Sequence, residues 1–134
     1  MFGINAGKVL VIGACQLGGH TLHTVACEYG MKVKDFKFIE YNKVTNYDFN
    51  KLLHTNKYID IFVGAVPHSA KRIAGYNSPL EFLAAHENEL PQVQYLRRDN
   101  RQLGLTKANF EKAVVKSAKF AIETFYEDKY GLLC

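Results

Sequence analysis

The chain has 134 residues, 48% of them hydrophobic and 22% charged, with a formal net charge of +4. That composition lies far from the low-hydrophobicity, high-charge range of disordered chains, and the length suits one core that buries about 70% of the unfolded chain's surface. The longest apolar runs are strand-sized and the amino terminus lacks the basic-then-apolar order of a secretory leader, so no membrane span is expected and a cytoplasmic location is.

Lys8 to Gly13 (KVLVIG) is a short β-branched run, apolar on both sides, and predicts a central strand buried on both faces. Leu22, Val25, Ala26 and Tyr29 recur at helical spacing and Gly30 follows as a stop, which predicts the first helix. Phe36 to Tyr41 reads as the second strand. Thr45, with Asp48 three residues on, resembles a capping arrangement for a short helix whose buried face is Phe49, Leu52 and Leu53. Tyr58 to Val66 (YIDIFVGAV) is the third strand. Ser78, Pro79 and Glu81 supply a cap, a first-turn proline and a carboxylate placed to reach back, so a third helix is expected from there to about Leu90, ended by Pro91. Val93 to Leu96 is the fourth strand. Thr106 then caps a long last helix in which Phe110, Ala113, Val114, Ser117, Ala121 and Phe125 keep helical spacing.

Strands alternating with helices, without a repeat or a linker, predict one domain over residues 1–134. Its expected architecture is three-layer α/β, Rossmann-like or flavodoxin-like, with a four-stranded parallel sheet in the order 2-1-3-4. That order places a topological switch point between the first and third strands, where ligands of such sheets bind.

Two loops face that point. The first, Gly13 to Thr21, carries Gly13, Gln16, Gly18, Gly19 and His20 ahead of a helix, so its backbone amides could receive a phosphate or carboxylate, or its glycines could simply make a tight turn. Gly13 and Gly18 have the spacing of a Walker A loop, but Gly19 and His20 stand where Lys and Ser/Thr should be, which argues against nucleoside triphosphate hydrolysis. The second loop, Val66 to Asn77, offers Pro67, His68, Ser69, Lys71 and Arg72. Those side chains suit a phosphate group, with His68 able to act as acid or base, although a solvated basic loop would read the same way. Arg97, Arg98, Asp99, Asn100 and Arg101 follow the fourth strand and complete an electropositive rim to which Arg97 contributes a ligand contact.

Other features point to bland roles. Cys15, Cys27 and Cys134 are odd in number and far apart, which suits neither a disulfide framework nor a paired zinc site, and reduced thiols are expected. His23 and Cys27 lie one helical turn apart, but nothing is placed to complete a metal site, so no metal and no cofactor are expected. His54 and His86 read as surface residues. Lys107, Lys112, Lys116 and Lys119 interleave with Glu111 and Glu123 as a solvated face, and extended nucleic acid is not an expected partner.

The layout of strand, small-residue turn and helix, with Gly13 to Gly19 and His68 to Arg72 at the turns, resembles the ligand-sensing domains of the CRISPR-associated Rossmann fold type. Those domains bind adenylate second messengers across a homodimer, so the resemblance implies a binding module for a small anionic ligand such as a nucleotide or cyclic oligonucleotide. Cys15, Gly18 and Thr21 are in turn similar to the Cys-x-x-Gly-x-x-Thr order of the IIB subunits of sugar phosphotransferase systems, with His20 in place of one hydroxyl residue. That similarity implies phosphoryl transfer through Cys15. A slow phosphodiesterase using His68 and Ser69 is the remaining alternative. A homodimer is expected, with the last helix or the third helix as part of its interface; the last helix is read as running from Lys107 to about Glu127 and spanning roughly 30 Å, with Phe120, Ile122 and Tyr126 as an uncovered apolar patch.

Overall fold

In the computed structural model of the chain, residues 7–13, 19–68, 70, 73 and 75–122 are described. The run KVLVI forms β1 (Lys8–Ile12), and β2 (Phe36–Ile39), β3 (Tyr58–Val63) and β4 (Gln92–Tyr95) join it in one sheet of order β2-β1-β3-β4. Every pairing is parallel, with Val11 set between Phe38 and Phe62. The Rossmann-like, flavodoxin-like sheet order expected from the sequence is the one observed.

Alternation along β1 sets the layers. Val9 and Val11 enter one buried cluster with Val25 and Ala26 of α1 (Gly19–Glu28) and Phe110, Ala113 and Val114 of α4 (Lys107–Lys116). Leu10 and Ile12 enter the other, with Val44 of α2 (Tyr41–Val44), Phe49 and Leu52 of a 3-10 turn (Phe49–Leu53), and Phe82 and Leu83 of α3 (Pro79–Ala85). A strand apolar from Val9 to Ile12 is thereby buried from both sides. α1 stops where Gly30 takes φ 75°: its N–H donates to the Cys27 carbonyl at 3.2 Å and the Met31 N–H to the Ala26 carbonyl at 2.7 Å, the paired bonds of a glycine C-cap. Among the described residues no helix is long and apolar enough to cross a membrane.

Several boundaries differ from the expectation. The second strand ends at Ile39 rather than Tyr41 because its partner ends there, Ile12 pairing with Ile39, and the chain turns at Glu40 into α2. The capping unit begins at Asp48 and not at Thr45: the Asp48 carboxylate accepts the Asn50 N–H at 3.2 Å, while Thr45 closes α2. The third strand ends at Val63 and the fourth begins at Gln92. α3 ends at Ala85, well before Pro91, where the His86 ring packs on Phe82 and Tyr76 and its Nδ1 meets Glu89 at 2.9 Å. At the start of α3 the Ser78 hydroxyl accepts the Glu81 N–H as expected, whereas the Glu81 carboxylate reaches past the cap to the Asn77 N–H at 3.0 Å.

The largest correction concerns the long last helix, which breaks at Ser117. Ser117 takes ψ 153°, its hydroxyl accepts the Phe120 N–H at 3.0 Å, and a new helical segment covers 118–122. The cause is Asp60, a fully buried carboxylate in β3 that accepts the N–H groups of Ala118 at 2.9 Å and Lys119 at 2.8 Å. The carbonyls that the break releases are taken by the side chains of β4, Gln94 donating to Ala113 at 2.9 Å and Gln92 to Lys116 at 3.0 Å. The break shifts the helical phase. Phe120, expected off the core face, packs edge-on against Tyr29 with ring centroids 6.0 Å apart, and Ala121, expected inside, is exposed. The apolar patch inferred for a homodimer therefore loses Phe120, and Tyr126 lies outside the described residues.

Candidate functional site

At the carboxyl end of the sheet, β1 leads to α1 on one face, and β3 leads through Ile73 to α3 on the other. This divergence is the switch point. Gly13 closes the end of β1 with φ 112°, its N–H donating to the Ile39 carbonyl at 2.9 Å, while the Gly64 N–H donates to the Ile12 carbonyl at 2.7 Å. A Cβ at Gly13 would run into the Ala65 carbonyl, so glycine is what allows the two strand ends to close on each other.

Around this point the described residues place some of the expected side chains. His68 is exposed five residues beyond β3. Gly19 opens α1 and the backbone of His20 continues it. Cys15, Gln16, Gly18, Ser69, Lys71 and Arg72, and the side chains of His20 and His23, lie outside the described residues. Among the described residues no group of three or more His, Cys, Asp or Glu could hold a metal ion.

Arg97 is exposed just past β4 and belongs to a small hairpin. It bridges Leu103 antiparallel, the Arg98 N–H donates to the Gln102 carbonyl at 2.8 Å, and the Arg101 N–H returns to the Arg98 carbonyl at 2.8 Å. The turn requires a left-handed residue at position 101, and Arg101 occupies it at φ 71°. Arg97 Nη1 donates to the Arg101 carbonyl at 2.9 Å, folding its guanidinium over the turn.

Asn109 joins this hairpin to α4. Its Oδ1 accepts the Thr106 N–H at 2.8 Å and the Thr106 hydroxyl accepts the Asn109 N–H at 3.1 Å, which completes a reciprocal cap. The Asn109 amide then donates to the carbonyls of Gly104 at 2.7 Å and Arg97 at 3.1 Å. Between hairpin and helix lies a cleft of about 500 Å³ lined by Arg97, Arg98, Asp99, Asn100, Thr106, Ala108, Asn109 and Lys112. The sequence showed Arg97 and Arg98 as a basic rim and Thr106 as a cap. It did not show Asn109 as the joint or Lys112 as a wall, and the Thr106-x-x-Asn109 spacing was the available signal.

A second hollow, about 420 Å³, opens at the opposite edge near the start of β3, between Tyr47, Lys51, His54 and Tyr58. Burial, together with the neighbouring Tyr58 and Asp48, pushes the Tyr47 phenol up from 10.0 to about 12. A phenol raised in the folded state contributes stability that is complete below its ordinary value of about 10 and is lost as pH climbs through about 12. Alkaline titration followed by tyrosinate absorbance is expected to show a late step that Tyr47→Phe removes. A single step complete near pH 10 would contradict it.

No family model, no curated protein and no solved structure matches this chain.

Proposed function

We propose that the chain is a binding module for a small anionic ligand, a nucleotide by its chemistry, seated between Gly13 to His20 and His68 to Arg72 with Arg97 at the rim. The observation that carries this reading is the strand order, which sends the chain after β1 and after β3 to opposite faces, the arrangement at which sheets of this kind bind their ligands. The start of α1 at Gly19 brings the positive end of a helix to that point, and the exposed imidazole of His68 lies just past β3.

Calorimetric titration against a panel of nucleotides and cyclic oligonucleotides tests the reading. At least one is expected to bind below millimolar, and Lys71→Ala with Arg72→Ala is expected to weaken it by about ten-fold or more. Absence of binding across the panel, or binding untouched by the double substitution, would overturn it.

A further inference from the structure

We propose that the cleft between the 97–103 hairpin and the first two turns of α4 is a preformed site for a phosphate group, with Arg97, Arg98 and Lys112 as its cations. It shares Arg97 with the reading above but stands on residues which that reading does not use.

The walls are fixed before any ligand arrives. Asn109 spends its side-chain amide and carbonyl on Gly104, Arg97 and Thr106, so hairpin and helix are held at one separation. Arg98 lines the wall beside them. Its side chain lies along Gly104, where a Cβ would collide with Nε and stand only 3.0 Å from Cδ. Gly104 does not need glycine for its backbone, since only Gly7, Gly13, Gly30 and Gly75 have positive φ among the described glycines. The missing side chain at 104 instead leaves a track along which the arginine lies, and a side chain laid against backbone has less rotamer freedom to lose on binding than one in open solvent.

Charge supplies the second argument. The segment 97–112 contains Arg97, Arg98, Arg101, Lys107 and Lys112 against Asp99 and Glu111. Among the described residues none of Arg97, Arg98 and Lys112 makes an ion pair, although Asp99 lines the same cleft. Three cations brought to one concavity against the single carboxylate of Asp99 leave a net positive charge that an anion offsets. The first turn of α4 lines the cleft with Thr106 and Ala108 and adds its positive end. A volume of about 500 Å³ exceeds the needs of one inorganic anion and suits a phosphate ester.

The test is an amide NMR titration of the full chain with inorganic phosphate, adenosine monophosphate and adenosine. Both phosphates are expected to give saturable shifts at residues 97–100 and 106–112, separate from any at Gly13 or His68, and adenosine none in that segment. Tighter binding of the monophosphate identifies an ester as the ligand; equal binding identifies the free anion. Arg98→Ala is expected to weaken binding by about ten-fold. Gly104→Ala, which displaces Arg98 without changing net charge, is expected to weaken it comparably. The proposal is overturned if neither phosphate shifts these amides, if Gly104→Ala has no effect, or if a single-stranded RNA binds more tightly and spreads its shifts along all of α4. Shifts at 97–112 with none at Gly13 or His68 would support this site and speak against the switch-point reading.

Discussion

Asp60→Ala is expected to destabilise the chain by about 3 kcal/mol, because it strips the acceptor from two N–H groups at the start of a helical segment, each worth about 1–3 kcal/mol when left unsatisfied. The loss should be read by denaturant unfolding, and the amides of Ala118 and Lys119 should lose hydrogen-exchange protection before the sheet does. Asp60→Asn keeps one acceptor and should lose about half as much. It also isolates a pH effect. Burial pushes the Asp60 carboxyl above its ordinary value, opposed by the N–H groups of Ala118 and Lys119 and by the Lys119 charge. With the folded value raised, the folded chain holds the proton more tightly than the unfolded one. Stability from this group therefore falls as pH rises from the ordinary aspartate range through the raised value. That slope should vanish in Asp60→Asn. An alanine variant as stable as the parent would show that water replaces the carboxylate without loss.

Gly13→Ala is expected to lose about 4 kcal/mol, the sum of a backbone conformation that L-residues rarely adopt and a collision inside a packed strand end. Gly75→Ala separates the two contributions. Gly75 has φ 89°, but a Cβ there meets nothing within 4 Å, so only the conformational part remains and the loss should be about 1 kcal/mol. Equal losses at the two positions would mean that the approach of Ala65 to Gly13 carries no weight.

Much of this fold was legible because its central strands, β1 and β3, are apolar at nearly every position. Val9 to Ile12 and Ile61 to Val63 are fully buried, and runs of that kind bounded by glycine or polar turns have few alternatives. Caps written in consecutive residues, such as Ser78 with Pro79, were legible as well. The break at Ser117 was not, since Phe110, Ala113, Val114, Ser117 and Ala121 continue a helical stripe and the group that interrupts it lies in β3. The visible trace was an aspartate inside YIDIFV, a charge in a strand otherwise suited to burial. Tyr41 misled for a related reason: FKFIEY stays rich in strand-forming residues to its end, but its pairing stops with the partner strand at Ile12. At the candidate sites, type and sign were legible in Arg97 and His68. The pairing of Arg98 with Gly104 and the bridging by Asn109 were not, because each depends on which backbone lies beside the side chain. The turn at 98–102 was hidden further by Arg101, which stands where such turns usually carry glycine.

The join between Asp60 and residues 118–119 also bears on the order in which the chain assembles. Its partners lie far apart in sequence, and it needs β3 in place and β4 alongside to hold the end of α4. Closing so long a loop early gains little until the sheet exists, which places this join after the rate-limiting step of folding. Disrupting it should then leave the refolding rate nearly unchanged and concentrate the whole effect in the reverse reaction. A loss of about 3 kcal/mol would speed unfolding by about a hundred-fold. The carboxylate in β3 would thus act as a late clasp, governing how long the native chain persists and having little part in how quickly it forms.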